Sequence, residues 1–336
     1  MIVALALALG ADVPLVYSQP GFDCAKAATP IERTICANPN AAVADGRMAA
    51  QYGHAWHALS LEGRQALLAN QRHFLRWLSI TCDPRNRYFE RRLTRDTCLI
   101  EKLDDRTREL KDSVTIAAGH VFLTLTSLME TPVPPDPDEH NLPPLRNVSM
   151  TLVQIDRPHS AAERRWNMAM RTWLQDGLRL LEGDDGPNDE QASQVDVGIK
   201  ITAASSAIIS ASLGASGYYG GPHPVSYSRA MIWALPLGRA LNDRDVLRNV
   251  HDPAVDRLLS SFYNANYSGG PEGCDRPKAV GRVPTLTPKA VTYTYDPYEL
   301  GGYPCGGGSE IPRSRIERSL KPLVRAAHLE VPKPLS

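Results

Sequence analysis

Cys24-Ala-Lys-Ala-Ala-Thr29-Pro30-Ile31-Glu32-Arg-Thr-Ile35-Cys36 places a helix start between two cysteines. Thr29 is an N-cap, Pro30 fits the first helical position, and Glu32 stands three residues after the cap, which together make a capping box. Asn38-Pro39 restarts the chain, and Ala42, Ala49, Tyr52, Trp56 and Leu59 then recur at helical spacing. Ser60 can cap a third helix that carries Leu67, Phe74, Trp77 and Leu78 toward Cys82. A fourth runs from about Tyr88 through Leu99, Leu103 and Leu110 and holds Cys98. The reading is a small all-helical unit. Amphipathic helices this short are marginal alone, so cross-links between them matter. Four cysteines allow three pairings, and spacing does not choose among them.

The six cysteines are completed by a late pair, Cys274 and Cys305, and no C-x-x-C occurs. Closely spaced thiolates are what zinc sites and thioredoxin-like centres need, so structural disulfides in an oxidising compartment are expected, with Cys274 joined to Cys305. The start of the chain agrees. Met1 to Gly10 is apolar and a possible cleavage region lies near Ser18, without the usual basic residues before the core. A signal peptide is expected over 1–20. A membrane span needs roughly 20 apolar residues, which no segment offers. Cys24 follows Asp23, which argues against lipid attachment. The expectation is a periplasmic or secreted protein.

Formal net charge is zero over 336 residues, and Cys24 to Asp112 holds 15 Lys/Arg against 11 Asp/Glu. That excess is too small to argue for nucleic acid. After Asp112 the texture turns to β. Val114 to Leu128 and Asn147 to Asp156 read as strands, separated by Thr131 to Pro144 with six prolines. Ser160 and Glu163 form another capping box, opening a helix whose buried face carries Trp166, Met170, Trp173 and Leu174. The acidic Gly183 to Glu190 reads as a turn. Val195 to Thr202, Ala207 to Leu213 and Arg229 to Leu237 read as antiparallel strands. Pro253 to Phe262 reads as a helix and Val291 to Tyr295 as a late strand. The fold class is α+β: a disulfide-linked helical domain over 21–112, then over 113–336 a mostly antiparallel sheet with helices on one face.

No G-x-S-x-G, H-E-x-x-H, P-loop or dinucleotide fingerprint occurs, so no catalytic residue, metal or cofactor is assigned. His54 and His57 fall three apart on a helix but lack a third ligand, and read as surface residues. Two loops are richest in binding chemistry. The first is Tyr218-Tyr219-Gly220-Gly221-Pro222-His223. The second is Asp296 to Gly308, with Tyr298, Glu299, Gly302 and Tyr303. Tyrosines supply amphipathic contact area, and glycines permit backbone shapes closed to other residues. Glu299 and His223 would be an acid/base pair if the loops met.

Phe22-Asp23-Cys24, Pro30-x-Glu32-x-x-Ile35-Cys36, Ala44-Asp45 before Tyr52, Gln71-x-x-Phe74 leading to Cys82, and Cys98-Leu99 resemble the LprI-type lysozyme-inhibitor family over Gly21 to Leu110. Phe74 stands where that family usually has tryptophan. Tyr219-Gly-Gly-Pro-His223-Pro224, Leu235-Pro-Leu-Gly-Arg239, Asp245-Val-Leu247, Pro297-Tyr-Glu299 with Gly302-Tyr303, and Ile311-Pro312 resemble the extracellular domain of the lysozyme-sensing anti-sigma factor RsiV over Val114 to Val324. These resemblances imply an exported, non-enzymatic protein that inhibits or sequesters a lysozyme. Its expected contacts are Tyr218, Tyr219, Gly220, Gly221, His223, Tyr298, Glu299 and Tyr303. The alternative is a peptidoglycan-binding accessory or envelope assembly factor.

Overall fold

The computed structural model describes residues 19–83, 94–132, 145–182, 194–219, 223–265 and 273–335. Most of the leader, Tyr88, the proline-rich stretch from 133, the acidic turn and Gly220, Gly221 and Pro222 lie outside them.

Four capped helices come first. In α1 (Pro30–Ala37) the capping box is reciprocal: the Glu32 amide donates to Thr29 Oγ1 at 3.2 Å, and the Thr29 amide to Glu32 Oε2 at 2.8 Å. Asn38 caps α2 (Pro39–Ala58), Ser60 caps α3 (Leu61–Thr81) and Thr94 caps α4 (Arg95–Lys111). Cys24 bonds Cys36, and Cys82 bonds Cys98, joining the end of α3 to the first turn of α4. Ile35, Leu67, Phe74, Leu78, Leu99 and Leu103 are buried between the helices. Arg106 is also buried, at 3 % exposure. Its guanidinium donates to Gln71 Oε1 at 3.0 Å, Asn70 Oδ1 at 2.6 Å and Glu109 Oε2 at 2.8 Å, and lies 5.2 Å from the Phe74 ring centre. Each of the three guanidinium nitrogens therefore has an acceptor, the condition under which such burial is tolerated.

The large sheet follows, with eight strands among the described residues. In chain order its elements are β1 (Val114–Ala117), β2 (His120–Pro132), β3 (Leu145–Ile155), α5 (Ala161–Glu182), β4 (Gln194–Ala204), β5 (Ile208–Tyr218), β6 (Val225–Ala234) and β7 (Arg239–Ala240). After α6 (Asp243–Val246) and α7 (Pro253–Phe262) come β8 (Tyr263–Ala265), β9 (Thr285–Leu286), β10 (Ala290–Tyr295) and β11 (Gly307–Pro312). Then follow α8 (Arg313–Ile316), α9 (Pro322–Arg325) and β12 (Lys333–Pro334). The spatial order β12-β1-β2-β3-β4-β5-β6-β7 is antiparallel throughout except β3 with β4, which run parallel and are joined by the α5 crossover. A smaller sheet has the order β8-β11-β10-β9.

Helix α5 covers one face of the large sheet with Trp166, Met170 and Leu174. It approaches closely at Gly177, where a Cβ would stand 2.8 Å from Val197 and 2.9 Å from Leu213. The smaller sheet covers the far part of the opposite face, where Ser210 Oγ accepts the Leu286 amide at 2.8 Å beside Ile208, Ile232 and Ala234. Beyond the end of β1, α3 lies along β2. Asn70 Nδ2 donates to Thr126 O at 2.8 Å, and His73 Nε2 meets Leu128 O at 2.7 Å. On the part of β2 that extends past β1, carbonyls pointing away from β3 are thus occupied by side chains of a helix.

The α+β class and the starts of α1, α2, α3, α5 and α7 agree with the sequence, as does antiparallel β4-β5-β6, whereas α4 begins at Arg95 behind its cap Thr94 and not near Tyr88. Gly306 to Gly308 differs. It reads as loop, but Gly307 and Gly308 open β11, because neighbouring backbone passes too close for side chains: a Cβ at Gly306 would meet Pro297 N at 2.9 Å, and one at Gly308 would meet Tyr293 O at 3.2 Å. Glycine erases the alternation by which a strand is recognised.

Asn70 serves Arg106 and the unpaired flank of β2 together, so Asn70→Ala removes an acceptor from a buried cation and a donor from a half-buried carbonyl. Urea denaturation should show a loss of about 2–4 kcal/mol. Asp45, buried on α2, accepts the Gly21 amide at 2.8 Å, and burial holds its carboxyl above the ordinary aspartate range despite that bond. A carboxyl with a raised folded-state pKa contributes most stability below its unfolded pKa, and loses it as pH rises through the folded value. Asp45→Asn keeps an acceptor without the charge. Melting temperatures should be alike for the two proteins at acid pH and higher for the variant at pH 7.

Candidate partner-binding surface

The second tyrosine loop is held at its base by charge. Asp296, 9 % exposed, accepts the Ser228 amide at 2.6 Å through Oδ1 and pairs with Arg229 through Oδ2. Arg282 pairs with Glu299, lies 4.6 Å from the Tyr295 ring centre and donates to Thr294 O at 3.2 Å. Glu299 also accepts the Asp296 amide at 2.9 Å. Glu299 is therefore a brace inside its own turn, and the acid/base pairing with His223 is not formed. Tyr295 beneath it is pushed up to about 12, first by burial. The bracing charges Asp296, Arg229 and Arg282 carry no motif. Asp296 directly follows β10, Arg229 lies within β6 and Arg282 stands three residues before β9, positions that carry no shared signal in sequence.

Between these anchors the chain turns tightly. The Glu299 amide donates to Asp296 O at 3.2 Å, Pro297 follows Asp296, and Tyr298 takes φ +69°. That is the geometry of a type II turn, whose third position favours glycine or asparagine. A tyrosine there carries backbone strain of about 1 kcal/mol or more. The strained residue is not a core residue: Tyr298 is 61 % exposed. Further on, Gly301 takes φ +123° beside Gly273 O. The Asp275 amide bonds Leu300 O at 2.7 Å, Tyr263 donates to Cys305 O, and Cys305 is disulfide-bonded to Cys274.

The two tyrosine loops meet. His223 stacks on Tyr303 with ring centres 3.7 Å apart and planes 23° from parallel, and Tyr298 meets Tyr303 edge-on at 5.6 Å. Tyr218, 36 % exposed, ends β5 opposite Gln194. Tyr219 is turned inward: its hydroxyl donates to Leu181 O at the end of α5, and its ring lies over Gly217. His54 and His57 are exposed on α2. Among the described residues no cluster of three or more His, Cys, Asp or Glu could hold a metal ion, and no helix is long and apolar enough to cross a membrane. The arrangement offers a preorganised aromatic ledge, which suits recognition by contact.

A family model described as Lysozyme inhibitor LprI matches residues 24–110, the helical segment with its two disulfides. No curated protein matches the chain. Among solved structures, a DUF3298 family member from Bacteroides fragilis NCTC 9343 is similar at 12 % identity and TM-score 0.43, covering 61 % of this chain and 95 % of its own. A DUF3298 family protein from Pseudomonas aeruginosa PAO1 is similar at 15 % identity and TM-score 0.42, covering 60 % and 95 %.

Proposed function

We propose that this chain is an exported, non-enzymatic protein that binds a lysozyme and blocks it, acting in the periplasm or outside the cell. The match of residues 24–110 to the lysozyme-inhibitor family carries the reading. Three disulfides support an oxidising location. We assign the contact to the ledge of His223, Tyr298 and Tyr303, together with Tyr218 at the end of β5, because rigid aromatics that reach the surface are the side chains that anchor interfaces. A lysozyme works with two carboxylates flanking its substrate's scissile bond in an open cleft, so an inhibitor has only to fill that cleft. Tyrosine hydroxyls and the His223 ring offer donors to such carboxylates, while the rings occupy the space of sugars. Domains over 21–112 and 113–336 divide the work in this reading: the helical part supports, the sheet part presents. The family match favours a second reading, in which the helical part itself touches the enzyme.

Mixing the oxidised protein with c-, g- and i-type lysozymes should give a stoichiometric complex and loss of cell-wall lysis with at least one of them. Tyr298→Gly separates ledge from fold, since glycine relieves the turn strain while deleting the ring. Its stability should be unchanged or higher by up to about 1 kcal/mol, while lysozyme affinity falls about tenfold or more. Full affinity in that variant would assign the contact to the helices.

A further inference from the structure

The smaller sheet carries opposite chemistry at its two ends. Tyr295 pairs with Gly307 at one end of the β10–β11 ladder, where the tyrosine loop begins, and Ala290 pairs with Pro312 at the other, about 17 Å away. At that far end the turn into β10 presents Lys289, and the chain leaving β11 folds back through α8 and α9. Two further segments close the group: the Arg248 amide bonds Ser319 O at 2.9 Å, the Lys321 amide bonds Val246 O at 2.9 Å, and the Arg313 amide bonds Lys289 O at 2.8 Å. Arg248, Lys289, Arg315, Arg318, Lys321 and Arg325 are thereby gathered at one end. We propose that this basic end seats the protein on an anionic lipid bilayer, with lipid phosphates as its ligands and the tyrosine ledge held away from the membrane.

The fold does not use these charges. Ile316, Leu320 and Val324 are fully buried and fix the segment, while Arg315, Arg318 and Arg325 are exposed. None of the six cations forms an ion pair among the described residues. The carboxylates nearby are engaged elsewhere: Asp245 pairs with Arg239 at 2.7 Å, and Asp252 accepts the Ala254 amide at 2.9 Å. Glu317 acts on Arg313, whose guanidinium is turned onto the carbonyls of Val324, Arg325 and Ala327. Other parts of the surface are arranged differently, with an acid one helical turn from its cation: Asp23 with Lys26, Asp105 with Arg108, Asp176 with Arg179. The whole chain is neutral, so the excess here is segregation of charge. Like charges held together repel, and an anionic partner relieves that repulsion.

The kind of partner follows from what the basic end lacks. Protein interfaces are anchored by aromatic or apolar side chains and are poor in lysine. From 313 to 325 no large apolar side chain is exposed. A cationic surface without such an anchor suits a partner that is anionic throughout and offers no pocket. A bilayer with anionic headgroups is that partner: each Lys or Arg near it adds attraction, and six on one end of the molecule add together. The seat is peripheral, since nothing here inserts. It does not rest on lysozyme binding, and it leaves the opposite end of the β10–β11 ladder facing water.

The test sediments the oxidised full chain with vesicles of phosphatidylcholine alone and with vesicles that also hold about 30 % phosphatidylglycerol, at about 0.05 M and about 0.5 M salt. Binding to the anionic vesicles only, lost at the higher salt, is the expected result. Arg315→Gln, Arg318→Gln and Arg325→Gln together should keep the melting temperature and the lysozyme affinity and weaken partition about thirtyfold or more. Arg72→Gln with Arg76→Gln, two exposed cations on α3, should leave partition within about twofold. Should the triple variant fail to fold, Lys289→Gln on its exposed turn should weaken partition about fivefold. No partition onto anionic vesicles at low salt, equal partition onto neutral ones, an equal loss from the α3 pair, or capture of soluble dextran sulfate without any vesicle binding overturns the proposal.

Discussion

The free flank of β2 is the constraint around which the molecule is assembled. A long strand whose carbonyls point into water invites pairing with another chain, and natural sheets cover such edges. Here α3 does so through Asn70 and His73, whose side chains meet Thr126 O and Leu128 O. Asn70 also receives the buried Arg106 guanidinium, so one side chain serves the helical core and the sheet edge at once. The disulfide between Cys82 and Cys98 links the end of α3 to the start of α4, the helix that brings Arg106. Edge cover, buried cation and cross-link are consequently coupled, and weakening one should be felt by the others.

A comparable device closes the other side. Asp296 takes the Ser228 amide and the Arg229 side chain on β6, while Glu299, Arg282 and the Tyr295 ring brace the turn that follows. What these braces support is an exposed tyrosine in a left-handed conformation, stacked through Tyr303 against a histidine from the neighbouring loop. Strain held at an exposed aromatic residue, over a base with matched charges, fits a binding surface better than a connector.

Local chemistry was legible in the sequence and distant geometry was not. The caps at Thr29, Ser60 and Ser160 could be read because a cap is decided within four residues. Alternating burial gave β4 and β5, but the parallel pairing of β3 with β4 follows from the α5 crossover, which periodicity does not encode. The pairing of Cys24, Cys36, Cys82 and Cys98 was open until helix ends were placed in space. The tyrosine loops were singled out by composition, and their meeting came only with the fold. Glu299 was set beside His223 by residue type alone, and nothing local to it announces that Arg282, 17 residues earlier, pairs with it.

Amide hydrogen exchange on the oxidised chain, with and without saturating lysozyme, bears most directly on the central claim that a braced aromatic ledge meets the enzyme. Slowed exchange confined to residues 296–305 and 223–228 is the expected result. Protection confined to α1, α2 and α4, or no protection with any lysozyme type, would contradict it.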